Sequence, residues 1–80
     1  MDDTQILGHI EDLVNEEHRL LERGDSGKLT PQDRLRLEDV QVQLDRYYDL
    51  LRQRRARRDA GQDPDAVRMR SADTVERYQQ

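Results

Sequence analysis

Leu37, Val40, Leu44, Tyr47 and Leu51 recur at intervals of three and four residues and run into the basic stretch RQRRARR, Arg52 to Arg58. On a helix that turns once per 3.6 residues, this spacing lines five apolar side chains along one stripe. A helix of that kind must bury its stripe against other helices. The feature implies an interaction surface. It implies no reaction.

Eighty residues make one small domain at most, and 32% hydrophobic content with no Phe and no Trp gives no bulk for a deep core. A single core of this size supplies about 3–5 kcal/mol. The 40% charged content would suit a disordered chain. Here, however, the charges alternate with apolar residues at helical spacing, which is the pattern of amphipathic helices. Without cysteine there is neither a disulfide framework nor a thiolate zinc site. Asp2 and Asp3 stand where a signal peptide would be basic, and no apolar run approaches the roughly 20 residues of a membrane span. The expectation is a soluble, cytoplasmic protein that makes no membrane contact.

Along the chain, the pattern predicts an all-α fold: an antiparallel, coiled-coil-like hairpin of two helices over residues 1–60. The first helix is expected over about 3–23, with Ile6, Leu7, Ile10, Leu13, Val14, Leu20 and Leu21 on one broad face and Gly24 as its stop. The connector Gly24 to Leu29 leads to Thr30-Pro31, an N-cap followed by proline in the first helical position, with Asp33 completing a short-armed capping box. The second helix is expected over 31–60, ended by Gly61 and the breaker Asp63-Pro64. In the remaining stretch, 61–80, Ser71 to Thr74 can cap a short helix over 72–79 carrying Val75 and Tyr78. Two anchors hold such a helix only if it docks, so a docked turn and a mobile tail both remain open.

Charge supports the antiparallel arrangement. Residues 1–33 carry nine acidic and three basic side chains, whereas residues 34–60 carry five acidic side chains and eight arginines. Folding the hairpin brings Asp2 and Asp3 to the end where Arg54, Arg55, Arg57 and Arg58 sit. Exposed pairs contribute only about 0–1 kcal/mol each, but as a set they favour that orientation.

Arg52, Arg54, Arg55, Arg57 and Arg58 are the sharpest functional candidates, since planar guanidinium groups make bidentate contacts to phosphates and carboxylates. The alternative is internal pairing with the first helix, together with favourable charge at a helix C-terminus. Nucleic acid is a poor fit: the chain is acidic overall, Asp49 and Asp59 flank the run, and no helix-turn-helix or basic-zipper pattern accompanies it.

Glu16-Glu17-His18 cannot close on one ion, because neighbours on a helix point about 100° apart. His9, Asp12 and Glu16 do share a face, but a solvated face with Glu16 paired to Arg19 explains them better than a metal. Glu17, nearer the apolar stripe, is placed to pair across it with an arginine or tyrosine. No metal and no cofactor is expected. Tyr47 and Tyr48 read as core and core-edge aromatics; stacking on bases would need more basic residues on their face than Arg46 alone. Leu35 and Val42 fall on the opposite side of the second helix from the main stripe. With Tyr48 they are the candidate oligomer interface, and they predict a homodimer that completes a four-helix bundle.

The segments ILGHIEDLVNEEHRL (6–20), LDRYYDLLRQRRARRDAGQDPD (44–65) and the terminal VERYQQ resemble the short actinobacterial proteins grouped as domain of unknown function 2630. The likeness spans nearly the whole chain and keeps the order and spacing of the segments. It implies a small cytosolic protein of a high-GC Gram-positive bacterium, in keeping with the use of Arg over Lys. It brings no activity, and so no catalytic or ligand residues. Two functions from different classes follow. One is a self-associating helical module that presents its surface to a protein partner; the other is a regulator that binds an anionic small molecule or nucleotide through the arginine-rich helix end. An enzyme is not expected, because nothing supplies a nucleophile or a general base beside an orienting group.

Overall fold

In the computed structural model, which describes residues 1–78 and the side chains of residues 1–76, all regular structure is helical. Helix α1 spans Asp3–Asp25 and helix α2 spans Pro31–Asp59. A 3-10 turn, Pro64–Ala66, and a short helix α3, Ala72–Tyr78, complete the described chain. Two long helices pack against each other and the shorter elements pack on α2, giving a body of 49 × 26 × 15 Å.

Both long helices start on reciprocal caps. Asp2 Oδ1 accepts from the Gln5 amide at 2.8 Å while the Asp2 amide donates to Gln5 Oε1 at 2.9 Å. Thr30 and Asp33 exchange the equivalent pair at 3.0 and 3.2 Å, with Pro31 in the first turn. Each cap satisfies two polar groups that a helix start leaves open.

The helix ends are also built alike. Gly27 and Gly61 adopt left-handed backbone, with φ of 73° and 71°. Around them the Lys28 amide donates to the Arg23 carbonyl at 2.9 Å and the Gln62 amide to the Arg57 carbonyl at 2.8 Å, closing a Schellman motif at each end. The first helix therefore does not stop at Gly24. That glycine is helical, and the left-handed residue that turns the chain is Gly27, so α1 runs two residues beyond the expected 23.

The seam between α1 and α2 is a heptad seam. Ile6, Ile10 and Leu20 of α1 are buried with Val40, Leu44 and Leu50 of α2, and Leu13, Val14, Leu37, Tyr47 and Leu51 pack half-buried around them. Of the five residues in the α2 stripe, all belong to this core. Leu50, outside that stripe, is buried because the chain after Gly61 returns along α2 and lays Val67 and Met69 beside it.

The tail is docked. Ser71 caps α3, its Oγ accepting from the Thr74 amide at 3.3 Å, and Val75 is buried to 1% exposure on the helix that packs against α2. Upstream, Arg46 Nε donates to the Arg70 carbonyl at 3.0 Å. The expected second anchor, the Tyr78 side chain, and residue 79 lie outside the described residues. Because α3 lies beside Asp45, one turn from Val42, the tail takes part of the side of α2 that the sequence left open. Val42 is half-buried, whereas Leu35 remains 67% exposed.

Candidate functional site

The five arginines at the end of α2 do not act as one patch, since successive residues point in different directions around the helix. Arg54 faces inward and is only 5% exposed. Its Nε donates to Asp3 Oδ1 at 2.6 Å, and its Nη1 donates to Asp65 Oδ1 at 2.8 Å and to the Pro64 carbonyl at 3.2 Å. One guanidinium thus ties together the start of α1, the end of α2 and the 3-10 turn. Arg58 Nη2 donates to the other oxygen of Asp3 at 2.7 Å. Hydrogen bonds from Arg58 and Arg54 hold the Asp3 carboxyl down at a pKa of about 2. The same contacts, from Asp3 first and then Asp65, hold the Arg54 guanidinium more firmly protonated.

Arg57 turns to the chain's own loop, donating to Gln62 Oε1 at 3.1 Å. Arg52 is exposed, with Asp49 at a loose 3.9 Å, and Arg55 is exposed with no ion pair among the described residues. Three of the five candidates are therefore engaged within the chain, and two, Arg52 and Arg55, point outward.

Other polar contacts cross the seam at regular intervals. Arg36 forks Glu16, Nε to Oε2 at 2.5 Å and Nη2 to Oε1 at 2.7 Å, and also reaches Asp39 at 2.8 Å. Glu16 accordingly pairs across to α2, and not along its own helix to Arg19. Hydrogen bonding to Arg36 lowers the Glu16 pKa. Arg23 meets Asp33 at 2.9 Å beside the connector. His9 stacks on Tyr47, ring centroids 5.3 Å apart and planes 10° from parallel. With His9 stacked and both Glu16 oxygens taken, the His9, Asp12 and Glu16 face gathers no metal-holding group among the described residues. Glu17 is half-buried and makes no hydrogen bond or ion pair across the stripe among the described residues.

The tail side of α2 carries polar groups that the sequence did not single out. Asp49 is buried, accepting from Gln53 Nε2 at 2.8 Å with Arg70 Nη1 at 3.6 Å. The Glu76 carboxyl of α3 meets that of Asp45, and this hydrogen bond, with burial and the neighbouring like charge, raises the Glu76 pKa. The sequence signal for this side was weak, since Arg46 and Asp49 look like ordinary solvated charges until Gly61 turns the chain back over them.

Leu50, Arg54, Asp65, Val67 and Met69 border a groove of about 230 Å³ beside the clamp. The large apolar side chains left exposed on the helices are Leu7, Leu21, Leu35 and Tyr48, at 55, 45, 67 and 42%. No helix among the described residues is long and apolar enough to cross a membrane.

A family model described as protein of unknown function, DUF2630, matches residues 2–80. Uncharacterized protein Rv0898c of Mycobacterium tuberculosis and uncharacterized protein Mb0922c of Mycobacterium bovis are each 42% identical to this chain over 77 residues, covering 95% of it and 88% of their own length. No solved structure matches.

Proposed function

We propose that this chain, which belongs to the DUF2630 family of proteins of unknown function, works as a protein-interaction module in the bacterial cytoplasm, binding through its helical surface and catalysing nothing itself. The carrying observation is the exposure of Leu7, Leu21, Leu35 and Tyr48 on two long helices whose other large apolar residues are buried or half-buried. A regulatory or adaptor role through a protein partner fits a surface of this kind, and so does the homodimer that would complete a four-helix bundle. Photocrosslinking in the native bacterium tests the reading. A photoreactive amino acid in place of Leu7, Leu35 or Tyr48 should give discrete covalent protein adducts, and one in place of Lys28 should not. No adduct from any apolar position would refute it.

A second reading is favoured by one observation: among the described residues Arg55 is exposed with no ion pair, and Arg52 has only a loose one. These two side chains could receive an anionic small molecule or nucleotide. An anion that binds the folded state raises the melting temperature by mass action, so a thermal-shift series with phosphate and nucleotides should respond, and Arg55→Gln should abolish the response. Absence of any shift would remove this reading.

A further inference from the structure

The clamp does not use the whole Arg54 guanidinium, which donates from each of its nitrogens. Nε is taken by Asp3, and Nη1 by Asp65 and the Pro64 carbonyl, whereas Nη2 has no hydrogen-bond partner among the described residues. Nor is Nη2 sealed away, because the one side-chain atom among the described residues that is buried without a partner is Glu76 Oε1 of α3. A side chain only 5% exposed thus keeps one donor nitrogen unpaired and within reach of solvent.

The way to Arg54 is the groove of about 230 Å³ that it borders. Leu50 of α2, Val67 and Met69 of the returning tail and the Met1 side chain make its walls apolar, and Arg68 stands beside them. Arg68 is exposed and forms no hydrogen bond or ion pair among the described residues. The carboxylates of this end are already committed. Asp65, which borders the groove, receives Arg54, and Asp3 receives both Arg54 and Arg58. Asp2 and Asp63 accept from the Gln5 and Asp65 amides and do not border the groove. Within the clamp two arginines balance two carboxylates, and Arg68 adds a cation at the groove that no carboxylate takes.

Apolar walls, a buried guanidinium with one open nitrogen and a free cation beside it suit a small organic acid. Its carboxylate would meet the two arginines while its chain lies along Leu50, Val67 and Met69. A neutral apolar molecule would cover Nη2 without pairing it, and a bare anion would leave the walls to water. A cavity of about 150 Å³ takes a benzene-sized molecule. The groove therefore admits a chain of about six carbons that ends in a carboxylate, and is too small for a nucleotide.

We propose that the groove between Leu50 and the returning tail binds a small monocarboxylate with an apolar chain, held at its charged end by Arg54 and Arg68. The site goes beyond the interaction-module reading and uses other side chains than Arg52 and Arg55, so it stands or falls independently of both.

Sodium hexanoate titrated into the full chain, followed by amide and arginine side-chain NMR, tests it. Hexanoate should move the amides of Leu50, Val67, Arg68 and Met69 and the guanidinium signal of Arg54. Acetate, which lacks the chain, and hexanamide, which lacks the charge, should each bind about tenfold more weakly or worse. Arg68→Gln should weaken hexanoate binding about tenfold with circular dichroism and melting unchanged, because the side chain is exposed and unpaired, and Arg68→Lys should keep most of the affinity. Hexanamide or acetate binding as well as hexanoate, an affinity indifferent to Arg68→Gln, no movement of the groove amides at any hexanoate concentration, or shifts gathered at Arg52 and Arg55 instead would each overturn the proposal.

Discussion

Asp3 and Arg54, 51 positions apart in the sequence, meet at 2.6 Å, and the arginine is the more deeply buried of the two. Arg54 takes the place on α2 where the heptad, continued from Tyr47 and Leu51, calls for another core residue. A charged side chain there is tolerated because Asp3, Asp65 and the Pro64 carbonyl all accept from it. The apolar seam thus ends in a polar clamp that fixes both the pairing of the helices and the return of the tail.

Breaking this clamp should be felt in three elements at once. Arg54→Gln is expected to lower the melting temperature and to loosen the segment after Gly61, read as faster amide exchange at Val67 and Val75. Asp3→Asn should have a smaller effect, since Asp65 still receives Arg54. The double variant should be little worse than Arg54→Gln alone, because the two changes remove one shared contact. Strict additivity in melting experiments would show that Asp3 and Arg54 are not coupled.

Two carboxyls should respond to acid in opposite senses. Asp3, held down at about 2, binds protons less readily folded than unfolded. Its contribution is full above the ordinary 3.8 and is lost as pH falls through 2. Glu76, raised from an ordinary 4.5 by its hydrogen bond to Asp45, binds protons more readily folded. Its contribution is full below 4.5 and is lost as pH rises through the raised value. Amide exchange followed by NMR should show α3 better protected near pH 4 than at neutral pH, while the α1 N-terminus loses protection only below pH 4. Protection of α3 that increases from pH 4 to pH 7 would contradict the Glu76 assignment.

The seam of α2 was legible in the sequence because its period is strict, and Thr30-Pro31 with Asp33 announced the second helix start. The capping box of Asp2 with Gln5 has the same spacing but stands among acidic residues that also suit a helix start by charge alone. Gly24 misled because a glycine near the end of an apolar run reads as a stop, and only the backbone tells which of Gly24 and Gly27 turns left-handed. The arginine run could not be resolved by composition. Whether Arg54 and Arg58 face Asp3 while Arg55 faces solvent depends on helical phase against α1. The polar side of α2 depends on a returning tail whose docking rests on Val67, Met69 and Val75, residues too sparse to form a pattern.

Core and surface leucines of α2 should separate cleanly. Leu44→Ala, at 6% exposure, is expected to cost about 2–5 kcal/mol, most of the stability of a domain this small, and Leu44→Asp should unfold it. Leu35→Ala, at 67% exposure, should stay within about 0.5 kcal/mol. Urea titration monitored by circular dichroism measures both. Comparable losses at the two positions would mean that the stripe of Leu37 to Leu51 is not the core.

The glycines offer the most local test of the helix ends. Gly27 and Gly61 have positive φ, where a side chain costs about 1–2 kcal/mol, so Gly27→Ala and Gly61→Ala should each destabilise by about that much, although both sites have open space around them. Gly24 lies inside α1, and an added Cβ would meet Leu29 Cδ2 at an ordinary 4.0 Å. Gly8 is likewise helical, with nothing within 4 Å. Alanine at either helical position removes freedom from the unfolded chain without straining the folded one, so Gly24→Ala and Gly8→Ala should stabilise by about 0.4–1 kcal/mol. Thermal melts of the four single variants should therefore split into two falling and two rising. A loss at Gly24→Ala with no loss at Gly27→Ala would mean that α1 does end at Gly24, and that the Schellman turn has been placed three residues too late.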